Sequence, residues 1–303
     1  MKKYIIAFFL LVISFLYIFL SNETGGARVF VNLMTFAGIY GLAAIGINVH
    51  FGWTGLLNFG HAAFMGIGAY TTVLLIPHSL GREGVVISSG LPLPLAILIG
   101  ILAAALLGLF LGLPTLRLRG DYLAIVTIAA AEIFRLLVRD FEDLTGGVYG
   151  IIQFSDSLQN SRPDFITRFG ESYDISPSQF WVGLLTWISI IVVLLILSRL
   201  KKSPWGRALR AVREDEDAVR ALGKNAVLLK LQSFMLGAAI GGLSGIFLVF
   251  NYGTVQASTF VPVLTFYVWA ALILGGVGSL AGPALGAVIS VSYTHLTLPT
   301  IGC

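Results

Sequence analysis

Cysteine is almost missing from these 303 residues; the single one, Cys303, stands at the last position. That leaves no intramolecular disulfide and no thiolate cluster for metal or redox chemistry. Charge is scarce too. Charged residues make up 11% of the chain, against about 25% in soluble domains. Hydrophobic residues make up 57%, which places the chain among multi-pass membrane proteins. No GxxxxGK[ST] run occurs, so the chain has no phosphate loop with which to hydrolyse ATP itself. A net charge of +4 does not argue for nucleic acid here, because in a membrane protein the placement of basic residues matters more than their sum.

Glycine, by contrast, is abundant at 35 residues, and the stretch Gly52 to Tyr70, GWTGLLNFGHAAFMGIGAY, holds five of them. The stretch is apolar enough for a membrane yet too rich in glycine for an ordinary lipid-facing helix. Gly55 and Gly60 permit turns or close backbone approach, while Asn58 and His61 bring polar groups that lipid cannot satisfy. Irregular backbone at membrane depth survives only inside protein or along a cavity. A break in a helical bundle, at the core of a transport route, is expected.

Apolar runs near the roughly 20 residues needed to cross a bilayer recur along the chain. They cover about 4–20, 28–50, the glycine-rich continuation to 76, 91–113, 122–138, 179–197 and 227–250. A last run, 261–289, is interrupted by GGVGSLAGP. The fold class expected is therefore an all-α polytopic membrane protein of about eight or more transmembrane helices, with glycine-rich broken segments and one permease domain over 1–289. The run after Lys2 and Lys3 is too long for a signal peptide and lacks a cleavage site, so it reads as an uncleaved first helix. With a cytoplasmic N-terminus, thirteen of the 19 basic residues fall on the inner side and six on the outer, as the positive-inside rule requires. The Gly52–Gly66 and Gly275–Gly286 stretches echo one another loosely, each ending one apolar span and opening a small-residue helix. The end of the chain, SVSYTHLTLPTIGC, looks foreign: residues 290–303 are expected to be a non-native tail resembling translated sequencing adaptor.

Residues 201–225, KKSPWGRALRAVREDEDAVRALGKN, form the second informative stretch. Ser203 is a helix cap, Pro204 fits the first turn, and Gly223 fits the end. Trp205, Leu209, Val212, Ala218, Val219 and Leu222 give one amphipathic helix a partly apolar face. It is too charged to cross a membrane. A basic helix on anionic lipid is one reading, but Glu214, Asp215, Glu216 and Asp217 would be repelled there, and a mixed-charge protein groove fits better.

Four stretches in order, GWTGLLNFGHAAFMGIGAYTT, DYLAIVTIAAAEIFRLLV leading to TGG, SPWGRALRAVREDEDAVRALG and GGVGSLAGP, resemble the permease family of high-affinity branched-chain amino acid ABC importers, its M-type subunit in particular. The likeness runs from about Arg28 to Ile289. It implies a subunit that moves branched-chain amino acids across the bacterial inner membrane without being an enzyme or needing a cofactor. The implied partners are a second permease subunit in a heterodimer, two cytoplasmic ATPase subunits, a periplasmic substrate-binding protein and the lipid bilayer. It also implies that Arg207, Arg210, Glu214, Glu216, Asp217, Ala218 and Gly223 couple to the ATPase. Import of urea or short amides by a similar permease, or a stand-alone secondary carrier, are the alternatives.

Within the spans, Gly55, Asn58, Gly60, His61, Glu132 and Arg135 are the pathway candidates. Asn58 and His61, three apart, are expected to share a helix face. They either line the route or satisfy backbone groups freed by the glycines. Glu132 and Arg135 read first as a local ion pair that makes both charges tolerable. Gly237, Gly241 and Gly245 form a GxxxGxxxG face suited to close helix packing. His61 has no serine, cysteine or metal-ligand partner at a motif spacing, which argues against an intramembrane enzyme.

Overall fold

A computed structural model describes residues 26–80, 86–87, 90–116 and 120–297. The expected first span, with the cytoplasmic N-terminus, lies outside the described residues.

Four apolar runs form helices long enough to cross a membrane: Gly26–Gly52, Leu93–Thr115, Pro177–Lys202 and Ala226–Tyr252. At 1.5 Å per residue the longest reach about 40 Å, against a hydrocarbon core of about 30 Å. The first comprises α1, Gly26–Ile47, and a π-helical turn, Asn48–Gly52. The others are α3, Leu93–Thr115, α8, Pro177–Lys202, and α11, Ala226–Tyr252. Shorter apolar helices are α2, His61–Leu75, and α12, Pro262–Gly275. The helices α4, Gly120–Asp140, and α13, Gly282–Thr297, complete the bundle. The suspected tail therefore continues α13 from 290 to Thr297, and 298–303 lie outside the described residues.

Side-chain size decides which helix goes where. α1 and α11 sit at the centre, mostly buried, whereas α3 and α8 turn large apolar faces outward. On α3 the row Ala96, Gly100, Ala104, Gly108 and Gly112 is buried, while Leu98, Leu102, Leu106 and Phe110 are exposed. Small residues four apart let α3 approach α2 and α11 closely: a methyl group on Gly100 would meet Thr72, and one on Gly108 would meet Ala238. The outward leucines and those of α8 suit lipid and would be an aggregation hazard in water.

Between the helices the connecting segments at the opposite end of the bundle from α9 and α10 are knitted together. Strand β1, His78–Leu80, pairs antiparallel with β2, Val86–Ile87, and with β3, Ile151–Ile152. Ile151 also bridges to Val255. The acid-rich outer segment carries short helices α5, Glu142–Thr145, α6, Asp156–Gln159, and α7, Asp164–Ser172. Thr145, Gly146 and Gly147 form the turn that ends α5, with both glycines at positive φ and the Thr145 hydroxyl bonded to the Phe141 carbonyl at 2.8 Å.

The inner stretch departs from expectation. It is two helices, α9, Pro204–Glu214, and α10, Glu216–Ala221, rather than one. Asp215 turns extended and accepts from the Ala218 N–H, capping α10. Leu209, Val212 and Val219 are buried as the pattern required, but the kink turns Ala218 and Leu222 outward, Leu222 being 78% exposed. Ser203 does cap α9, accepting from Gly206 N at 3.2 Å with Pro204 in the first turn. Gly223, at φ +74°, lies just beyond α10.

Candidate functional site: two broken segments and an inner staple

The helical path fails twice near the end of the bundle that carries α9 and α10, once between α1 and α2 and once between α12 and α13. The two breaks touch. Asn48, in the π turn, donates from Nδ2 to the Ser279 carbonyl at 2.6 Å and accepts at Oδ1 from Gly278 N at 2.8 Å. A methyl group on Gly52 would lie 2.2 Å from that same Oδ1, so glycine is required where the Asn48 amide crosses. Gly276 and Gly278 take positive φ, which lets the second break fold back against the first.

Two cations from the inner side clamp the junction. Arg213, in the last turn of α9, donates from Nη1 to the Gly52 carbonyl at 2.7 Å. Lys201, at the end of α8, donates from Nζ to the Gly278 carbonyl at 2.9 Å. Charge-assisted bonds of this kind are about twice as strong as neutral ones. Trp205 of α9 adds an edge contact to Trp53, ring centres 6.2 Å apart. Thus α9 is joined to the first break, and the end of α8 that leads into it is joined to the second.

Just beyond the break lies a buried polar cluster. His50 Nε2 is 2.9 Å from the Phe234 carbonyl, which only accepts, so this nitrogen carries the proton. Nδ1 is then free to accept from Asn58 Nδ2 at 3.1 Å. The Thr54 hydroxyl donates to the His50 carbonyl and the Ser233 hydroxyl to the Val49 carbonyl. His61 opens α2, fully buried, its ring centre 5.7 Å from that of His50. Gly237 and Gly241 make room for the two imidazoles: an added methyl would lie 2.2 Å from His50 Nε2 and 2.6 Å from His61 Nε2. Gly245 packs on the Met65 backbone. The GxxxGxxxG face therefore packs closely, as its spacing required.

The pathway candidates divide on inspection. Asn58 and His61 do not share a helix face, because α2 begins only at His61 and Asn58 lies in the irregular run before it. Asn58 instead forms a local turn, accepting from Gly60 N at 2.9 Å, and its carbonyl accepts from Trp269 Nε1 at 2.9 Å. Gly60 packs against Thr127 of α4, and Gly55, exposed at φ +72°, lies beside Arg213. Asn58, Gly60 and His61 are all buried here. Glu132 and Arg135 form the expected pair, with Nε to Oε2 at 2.9 Å.

The inner residues form local bonds of their own. Arg207 and Arg210 donate to the carbonyls of Lys202 and Lys201, at 3.0 and 3.3 Å. Glu216 pairs with Arg220 at 2.7 Å and with Lys230 of α11, and Asp217 lies 3.5 Å from Arg220. Glu214, Ala218 and Gly223 are exposed. Among the described residues no three His, Cys, Asp or Glu side chains gather to hold a metal ion.

Asn48, His50, Lys201 and Arg213 did not emerge from the sequence as site residues. Asn48 and His50 looked like the end of an apolar span, and Lys201 and Arg213 like two basic residues among many. Their partners lie far away in the chain, so only one signal was local: two polar side chains, Asn48 and His50, inside an otherwise apolar helix.

Comparison with known proteins gives a consistent answer. Residues 29–303 match the protein family described as "Branched-chain amino acid transport system / permease component". The high-affinity branched-chain amino acid transport system permease protein LivM of Salmonella typhimurium is 37% identical over 277 residues, 88% of this chain and 63% of the relative. The probable LivM of Methanocaldococcus jannaschii is 29% identical, covering 86% of this chain and 78% of its own. The permease protein LivH of Escherichia coli K12 is 27% identical over 85% of this chain and 81% of its own. The chain thus spans 63% of the length of the Salmonella LivM it matches. No solved structure matches it.

Proposed function

Since the chain belongs to the family of branched-chain amino acid transport permease components, we propose that it is the membrane-spanning subunit of an ATP-driven importer moving branched-chain amino acids across the bacterial inner membrane. The family and the apolar, outward-facing helices support this reading. In it, α2, α4, α12, α13 and the run at 4–20 supply crossings beyond the four long helices, giving eight or more. The N-terminus and the α9–α10 pair face the cytoplasm, in line with the basic bias of those loops.

One observation carries the mechanism: Arg213 binds α9 to the first broken segment, and Lys201, at the end of α8 just before α9, binds the second. A second permease subunit completes the membrane unit. Two ATPase subunits press on the face bearing Arg207, Arg210, Glu214, Glu216, Asp217, Ala218 and Gly223. A periplasmic binding protein delivers substrate to the outer side and sets much of the selectivity. ATP-driven closure of the motor moves α9 and α10, and the clamp passes that motion to the breaks, with Gly55, Asn58, Gly60 and His61 as the pivot between α1 and α2. Each state must bind its partners differently, since a ligand shifts an equilibrium only by its differential affinity.

The test is uptake by the full complex in proteoliposomes containing ATP. Labelled leucine should accumulate, and reversing the charges of Glu214 and Asp217 should abolish accumulation while the chain remains in the membrane. Accumulation by this chain without any ATPase subunit would overturn the importer reading, and uptake of urea in place of leucine would overturn the substrate.

A further inference from the structure

On the outer side, away from both breaks, α11 stops at Tyr252 and the chain does not return at once to a helix. Gly253 takes φ +71°, residues up to 256 run extended, a short 3₁₀ turn covers Ala257–Phe260, and α12 opens at Pro262. This irregular segment borders an open cleft of about 380 Å³. Tyr40 of α1, Tyr252 and Tyr267 of α12 stand around it, and Gln256, Ser258 and Thr259 form its floor. We propose that this cleft is one wall of the water-filled passage taken by the transported solute; the inference rests on the permease reading above.

The argument starts from solvent. Elsewhere the exposed side chains of α3 and of the middle of α8 are apolar, as Leu98, Leu102 and Leu106 on α3 and Ile188, Ile191 and Leu195 on α8 illustrate. Here Tyr252 and Tyr267 are 48% and 51% exposed, and side-chain hydroxyl and amide groups line the same hollow. Hydrocarbon leaves such groups, and the freed backbone of residues 253–261, without partners, so non-helical backbone of this kind belongs against protein or water. The buried face of the segment is held by protein: Val255, Ala257 and Phe260 are inside, and Val255 exchanges backbone bonds with Ile151 at 2.9 and 3.0 Å. Its open face is left to water.

The chemistry of the cleft suits passage rather than tight binding. Among the described residues no acidic or basic side chain lines it, so a zwitterion meets hydroxyls, an amide and aromatic faces but no fixed opposite charge from them. Tyrosine rings accept an aliphatic side chain on their faces and water at their tips. Asn58 and His61 are fully buried, so the route runs over the tyrosine cleft and the glycine breaks act as its hinge.

Thiol accessibility tests the assignment. In a Cys303→Ser background, Gln256→Cys and Thr259→Cys are made singly within the complete transporter, with Leu102→Cys and Ile191→Cys as lipid-facing references. A membrane-impermeant sulfonated methanethiosulfonate is applied from the outer side. The cleft positions should react at least tenfold faster than the references, and each cleft variant should lose at least tenfold of its own leucine uptake on modification. Rates equal to the references would overturn the proposal. So would fast labelling that leaves uptake intact, the result expected of tyrosines sitting at the headgroup level. A complex that takes up no leucine before modification would count against the importer reading alone, and the labelling rates would still decide whether the cleft is wet.

Discussion

Arg213 shows what a single side chain does in this protein. It leaves a charged inner helix to reach one carbonyl, that of Gly52, made available where the helix of α1 gives out. Arg210, three positions earlier, donates to the Gly206 carbonyl of its own helix and to that of Lys201 just before it. Arg213→Gln removes the charge and shortens the reach, so in the proposed mechanism motion of α9 no longer pulls on the break. The complex should keep hydrolysing ATP while leucine uptake falls at least tenfold, a split that assaying both activities on one preparation will reveal. If hydrolysis and uptake fall together, with less complex recovered, the contact is merely structural. Little of this was legible beforehand: Arg213 is 161 positions from Gly52, and no local pattern marks which of several arginines turns inward. Glu132 and Arg135 were legible, because a pair three apart on a helix needs no tertiary information.

At the scale of elements, glycine spacing told more than hydropathy. The GxxxGxxxG face of α11 announced close packing, and α11 does pack closely; what it packs on, two buried imidazoles, required the fold. Gly241→Ala would set a methyl group 2.6 Å from His61 Nε2, in a region held on all sides. Overpacking of this kind costs about 1–3 kcal/mol, so the purified complex should unfold at a clearly lower temperature. Gly223→Ala offers a contrast, since nothing lies within 4 Å of the added methyl and only the positive φ resists it. Its cost should be nearer 1–2 kcal/mol, felt as loosening of the exposed end of α10. A scanning fluorimetry comparison in one detergent ranks the two. The kink at Asp215 was the element-scale misreading. Val212 and Val219, seven apart, stay on one side whether or not the helix is continuous, so periodicity concealed the break. The overlooked signal was an Asp followed by an acidic first turn, the ordinary start of a helix.

For the molecule as a whole, the open question is what drives it. A carrier driven by protons needs a carboxylate that releases and regains a proton as the route opens and closes. Glu132 is the one acid that the sequence places well inside a span, and both its oxygens are engaged by Arg135. The pair is partly solvated, with side chains 37% and 21% exposed, so its worth is about 0–1 kcal/mol. Glu132→Gln should therefore lower leucine uptake less than about fivefold by that figure. Uptake should still require ATP, and a protonophore should not change it when vesicle ATP is held constant. Abolition of transport by Glu132→Gln, together with collapse of wild-type uptake under the protonophore, would assign the energy to the proton gradient. The apolar outer faces of α3 and α8 fit either engine, since both need a chain embedded in lipid. On the proposed reading the clamp does not, because a proton-driven carrier has no use for a charged helix joined to the break from the side that this reading gives to the cytoplasm.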